Sequence, residues 1–150
     1  MAKNIYKQDI PGFIFIADGP IVPEMIGRKL FGLPYQMKDI VFTPGQALFL
    51  IDPPAQLIYG VFQATTTLTE NLIPDAFAWS DPTQSQPVQS VLPMQVKVTC
   101  LVEAAPLHIH DPELQAVFRA VGGLPMGGKI ELKETKALLL DRNSKPPATI

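Results

Sequence analysis

The sequence predicts an α+β fold: a small, mostly antiparallel curved sheet or barrel with short helices flanking it. Three observations carry that prediction. Sixteen prolines punctuate 150 residues, and each removes a backbone donor and disfavours helix at the residue before it. The apolar segments between them are short, and more of them have strand than helix character. One of them, "MQVKVTCLV" (Met94 to Val102), alternates cleanly between apolar and polar residues. The strands do not alternate with long helices, which excludes a doubly wound parallel sheet.

The elements follow in order. "GFIFIA" (Gly12 to Ala17) is an unbroken apolar run and predicts a strand buried on both faces. "PEMIGRKLF" (Pro23 to Phe31) predicts a short helix, with Pro23 at its first position and a Glu24–Arg28 pair one turn apart. Val22, Ile26 and Leu30 recur every four residues and form its expected buried stripe. Gly32 is placed to end that helix in a left-handed conformation, and Pro34 cannot continue it.

A Thr-Pro-Gly turn (Thr43 to Gly45) leads into "QALFLI" (Gln46 to Ile51), a second buried strand. "QLIYGVFQATTT" (Gln56 to Thr67) is the third, rich in β-branched and aromatic residues. Only "DPPA" separates the two, so they should form an antiparallel hairpin. Gly60 inside the third strand signals a bulge or a close backbone approach.

"IPDAFAW" (Ile73 to Trp79) suggests one helical turn, followed by a polar loop from Ser80 to Ser90. In the alternating strand, Val96, Val98, Cys100 and Val102 should face the core, with Gln95, Lys97 and Thr99 facing out. Asp111 caps a helix running to Val121, with Pro112 first inside and Gly122-Gly123 ending it. "KIEL" (Lys129 to Leu132) is a short strand, and "KETKALLLD" (Lys133 to Asp141) a final helix. Residues 1–141 then form a single domain, and 142–150 a polar tail.

Composition narrows the function. Apolar residues make up 47% and charged residues 17%, with a net charge of −2. That describes a folded, somewhat apolar chain without a basic run to attract nucleic acid or anionic lipid. Cys100 is alone, so no internal disulfide can form, which fits a reducing compartment. Phe13 to Ala17 is too short for a signal sequence or a membrane span. The expectation is an intracellular protein, cytoplasmic or nuclear, without a membrane partner.

Chemistry-bearing constellations are sparse. His108 and His110 could share one face of a strand near Asp111 and Glu113, but a helix-cap setting outweighs a metal site. Cys100, in phase with three valines, should be buried and inert. No serine sits in a glycine elbow. "VGGLPMGGK" (Val121 to Lys129) follows a helix and precedes a strand, the reverse of a phosphate loop, and is a connector. The aspartates adjoin prolines, glycines or caps, where turn chemistry is their default use. The expectation is a non-enzyme with no metal and no cofactor. Trp79, at the edge of a loop, is either a stacking platform or an anchor beneath that loop, and Arg28, Lys29 and Lys97 could add cationic contacts.

An ordered set of short stretches adds a resemblance. "KLFGLP" (Lys29 to Pro34), "ALFLI" (Ala47 to Ile51), "YGVFQA" (Tyr59 to Ala64), "AW" (Ala78-Trp79) and "PMQVKV" (Pro93 to Val98) occur in the order seen in the DCD domain. That family is named for development and cell death and is found in plant proteins. Its motif positions here are Phe31, Gly32, Leu33, Pro34, Leu48, Phe49, Leu50, Gly60, Phe62, Gln95 and Val96. Met94, Lys97 and Ile51 depart from the usual residues but keep the strand pattern. The layout also resembles, more distantly, the PUA-like β-barrels, including the YTH and EVE modules. The first resemblance implies a non-enzymatic module in stress response, development and programmed cell death, with a protein partner bound through an apolar or edge-strand surface. The second implies an alternative, a nucleic-acid reader of RNA or a modified base.

Overall fold

The computed structural model describes residues 11–17, 19–79, 89–101, 106–119, 122–124 and 127–130, together with 133, 135, 137 and 138. The predicted tail lies outside these residues. Ten strands and two short α-helices are described. Eight strands build one sheet with the path β10-β1-β3-β4-β8-β2, to which β5 adds against β8 and β9 against β4. The fold class is α+β: a curled, open, mostly antiparallel sheet with a few short helices. All strand pairs are antiparallel except β1 with β3.

β1 (Phe13–Ile16) lies at the centre of one half, between β3 and β10. Its first three residues are buried, whereas Ile16 is 43% exposed. α1 (Val22–Arg28) begins with Pro23 in its first turn and buries Val22 and Met25. It is shorter than the sequence predicts. Lys29, at φ 53°, takes the left-handed cap that glycine was expected to supply. The chain then enters β2 (Leu30–Leu33) directly. Leu30 is therefore a buried strand residue, not the last member of a helical stripe. Gly32 lies inside β2, antiparallel to Gln95, and its role is steric. A Cβ there would stand 2.8 Å from both Leu92 Cβ and Phe77 Cε2, distances that real contacts do not show.

A single 3-10 turn (Tyr35–Met37) follows Pro34. β3 (Ala47–Asp52) and β4 (Leu57–Ala64) form the expected hairpin across Pro53 to Gln56. Its register shifts between Leu48 and Leu50, opposite Gly60. A Cβ on Gly60 would fall 2.6 Å from Phe49 Cδ1, so the bulge and the close approach foreseen at this glycine are both present. β3 is buried along its whole length. Leu48 and Leu50 enter one core and Ala47, Phe49 and Ile51 the other, as the two-residue period of a strand dictates.

The first core fills the inside of the curl. Phe31 meets Phe15 with ring centroids 5.1 Å apart and Phe62 at 5.0 Å, while Phe13 and Phe15 both contact Phe42. Edge-on aromatic pairs of this kind are worth about 0.5–1.5 kcal/mol beyond their buried area. The second core lies under the C-terminal elements, with Leu114, Phe118, Ile130 and Leu138 against β3.

β5 (Thr69–Glu70) joins the sheet, and residues 71–77 then form turns rather than the single helical turn expected. β6 (Ala78–Trp79) pairs with β7 (Gln89–Ser90) in a separate two-stranded ribbon. β8 (Met94–Cys100) matches the alternation at Val96, Lys97 and Val98, but not at its ends. Gln95 is fully buried because residues 71–77 cover its face, and Cys100 is exposed, contrary to the sequence prediction. β9 (Leu107–His108) leads to α2 (Pro112–Val117), where Asp111 accepts from the backbone N–H groups of Glu113 and Leu114. α2 ends at Val117 with Phe118 as its C-cap, short of the predicted end at Val121; Gly122 and Gly123, both at positive φ, follow, and Gly123 N donates to Phe118 O. β10 (Gly128–Lys129) pairs with β1. Residues 133, 135, 137 and 138 are helical, as predicted. No helix among the described residues is long and apolar enough to cross a membrane.

Candidate functional site

Val98 donates its N–H to Lys29 O. In an antiparallel ladder this sets the alternation: residues 29, 31 and 33 turn their backbone groups to β8, and Leu30 and Gly32 turn theirs to the opposite edge. No strand occupies that edge among the described residues. β1 is likewise paired with β10 only at Phe13 and Ile14. The sheet thus curls until β1 and β2 approach and stops short of closure.

The seam between them is a groove of about 320 Å³. Ile14 and Ile16 of β1 form one wall, and Gly32, Leu33 and Pro34 the other. Met37 and Leu92 close one end, and Gly127 and Gly128 lie along the β10 side. Among the described residues Phe13 is its single aromatic lining residue. Gly127 fits because a Cβ there would press to 2.6 Å from Ile16 Cδ1. The "GLP" of the opening motif and the "GG" of the late connector therefore meet across the seam. The motif positions were legible in the sequence, while Met37, Leu92 and the two glycines carried no signal pointing to this surface.

The predicted cationic residues divide. Arg28 is held in α1 by Glu24, with Nε 3.0 Å from Oε2, and lies 3.9 Å from Asp75. Its charge is committed to the fold. Lys29 and Lys97 are exposed; Lys29 immediately precedes β2, and Lys97 lies on β8 opposite Leu30 in register. They lie at the far end of β2 from Leu33, roughly 13 Å along the strand at about 3.3 Å per residue. Trp79 is placed in β6 opposite Gln89; the role expected of its side chain, and the loop after it, lie outside the described residues.

The histidine pair does not build a ligand set. The rings of His108 and His110 are 5.3 Å apart, but His108 Nδ1 accepts the backbone N–H of His110. Nδ1 of His108 is thereby engaged by the backbone and not turned to a ligand. Among the described residues no group of three or more potential metal ligands occurs.

Comparison with known proteins places this architecture. Residues 11–120 match the family described as the development and cell death domain. The chain is similar to the DCD domain-containing protein NRP-B of Glycine max, 34% identical over 102 residues, which cover 67% of this chain and 30% of that protein. It is similar to the B2 protein of Daucus carota, 34% identical over 94 residues, covering 61% of this chain and 44% of that one. It thus spans less than half the length of these relatives. In fold it is similar to the Pho92 YTH domain in complex with m6A, with a TM-score of 0.64, 10% identity and coverage of 93% and 87%. It is also similar to the YTH domain of Zygosaccharomyces rouxii MRB1 in complex with N6-methyladenosine RNA, with a TM-score of 0.59, 13% identity and coverage of 93% and 94%. The ordered motifs on β2, β3, β4 and β8, the open curled sheet they build and the match over most of its length agree: this chain belongs to the development and cell death domain family.

Proposed function

We propose that this domain is a non-enzymatic interaction module that docks an extended apolar segment of a partner protein in the seam between β1 and β2. The observation that carries this reading is the groove itself. It is apolar and lined mainly by aliphatic side chains, and it runs beside the sheet edge to which Leu30 and Gly32 turn their backbone groups. An extended peptide could add to such an edge through main-chain hydrogen bonds, and alternate side chains would seat against Ile16, Leu33 and Met37. The family membership supports a setting in stress response, development and programmed cell death, in a cytoplasmic or nuclear compartment.

The test is selection from a library of random peptides displayed on phage, with the purified chain as bait. Peptides with alternating apolar residues are expected. Their binding should fall at least ten-fold with Ile16→Arg, a substitution at a half-exposed position that the fold tolerates. Equal binding to wild type and Ile16→Arg would sink the reading.

A second reading rests on one observation: the similar folds include domains solved with RNA. Lys29, just before β2, and Lys97, on the adjacent β8, would then serve a nucleic acid together with Trp79. Titration with a pool of RNA and single-stranded DNA separates the two. A reader predicts affinity that falls steeply with salt and drops on Trp79→Ala or Lys97→Glu. The net charge of −2 and the one-aromatic groove weigh towards the protein partner.

A further inference from the structure

Residues 71–77 cross the face of β2 and β8 that carries Gly32 and Gln95, and bury Ala76 and Phe77 in the same core as Phe15 and Phe31. Asn71 N donates to Pro93 O at 2.7 Å, and the buried Gln95 amide holds Ile73 by both its N–H and its carbonyl. At the other end, Phe77 N donates to Glu24 Oε2 at 2.9 Å. Glu24 itself is partly solvated and paired with Arg28. Asn71 and Phe77 both sit at positive φ, 54° and 56°. For asparagine that is ordinary; for a phenylalanine it is strained and persists only where the surroundings impose it. Phe77 is nonetheless 2% exposed, with its ring edge against Gly32 and close to Leu92. Gly32 and Leu92 are both groove-lining residues.

We infer that residues 71–77 are a latched strap, with the Glu24 carboxylate as the latch and Asn71 and Phe77 as the hinges. Release lets Phe77 relax to negative φ, withdraws its ring from Gly32 and extends the groove by the space the ring vacates. The physical basis is an imbalance. The N–H of a bulky residue in a disfavoured conformation is held by a side chain that water can reach, and its carbonyl by the Val91 N–H at the end of the ribbon that moves with it, while the rest of the sheet is held by its ladders. The device works whatever molecule enters the groove, so it stands apart from the proposed partner. Since β6 begins at the next residue, release also moves the ribbon that carries Trp79.

Native-state amide hydrogen exchange on the full 150-residue chain tests it. In the wild type, the Phe77 amide is expected to exchange at least ten-fold faster than those of Leu48 and Leu50 in β3. Glu24→Ala should speed Phe77 by a further ten-fold without altering β3, and should change the emission of Trp79, the single tryptophan. Gly32→Ala, which pushes on the ring and leaves the latch intact, should speed Phe77 by more than it speeds β3. If Phe77 exchanges only at the rate of β3 in the wild type, the strap is a fixed part of the core and the inference fails. It also fails if Glu24→Ala raises both rates equally. Should a variant not fold, the wild-type comparison of Phe77 with β3 decides alone.

Discussion

Gly12 donates its backbone N–H to Thr135 Oγ1 at 2.8 Å, within the core and across 123 positions of sequence. The entry to β1 is thereby fastened to the C-terminal helical segment, beyond the end of the family match at residue 120. Ile130 and Leu138 are buried against β3 on the same side, so the domain is completed by residues its motifs do not include. Thr135→Val keeps the shape but removes the acceptor. Leaving the Gly12 N–H unpaired should cost about 1–3 kcal/mol, a fall of several degrees in Tm for a domain of this size. Thr135→Ser should keep most of the stability. A chain ended at residue 120 should lose cooperative unfolding altogether. Equal melting of the valine and serine variants would dismiss the bond as a stabiliser.

Gln95 supports a second prediction. Its amide accepts from Ile73 N and donates to Ile73 O and Leu92 O, and its side chain is fully buried. Gln95→Leu strands those three groups and should destabilise by about 1–3 kcal/mol, because the strap can still reach water. Gln95→Glu is the sharper variant. Facing two carbonyls in a buried site, the carboxyl is favoured in its protonated form, so its folded pKa lies above the unfolded one. The folded state then binds more protons, and stability present at acid pH is lost as pH rises through that raised pKa. Thermal melts of Gln95→Glu across pH should therefore fall towards neutrality, while those of the wild type do not follow that course.

Much of this fold was legible because local pattern and tertiary burial agree. The β3–β4 hairpin follows from two apolar runs joined by "DPPA", and Asp111 caps α2 by the same side-chain bonds that its position predicts. The failures occur where distant segments decide. Gln95 reads as outward-facing from its own strand, and only the strap from residues 71–77 buries it. Leu30 continues a helical period from Val22 and Ile26, yet the left-handed Lys29 diverts it into β2. No local signal marks a lysine for that conformation. The groove draws on β1, the end and exit of β2, and β10. Its glycines could be read only as a connector until the topology set them beside Ile16.

Cys100 gives a direct check on the end of β8. Its phase with Val96 and Val98 implies burial, but the strand leaves the core at this point and the residue is exposed. An exposed thiol should react with Ellman's reagent in the native protein at a rate similar to that in denaturant. The expected product is one labelled thiol per chain without loss of helical or sheet signal. Labelling that requires unfolding would restore the sequence-based expectation.

Lys29 and Gly32, three residues apart, should respond to substitution in opposite directions. Lys29 adopts φ 53° without being a glycine, a conformation that disfavours an L side chain by about 1–2 kcal/mol. Lys29→Gly should therefore be neutral or raise Tm, the gain being reduced by the greater freedom of glycine in the unfolded chain. Gly32 has no such backbone demand; its constraint is the pair of contacts at 2.8 Å with Leu92 and Phe77. Gly32→Ala should lower stability by about 1–3 kcal/mol through overpacking. Shortening a neighbour in the same molecule, with Phe77→Leu, which removes the Cε2 that a Cβ at Gly32 would meet, should recover part of that loss relative to the sum of the single changes. Additive effects of Gly32→Ala and Phe77→Leu would show that the space beside Gly32 is not what its side chain lacks, and would return the motif glycine to a role in backbone geometry.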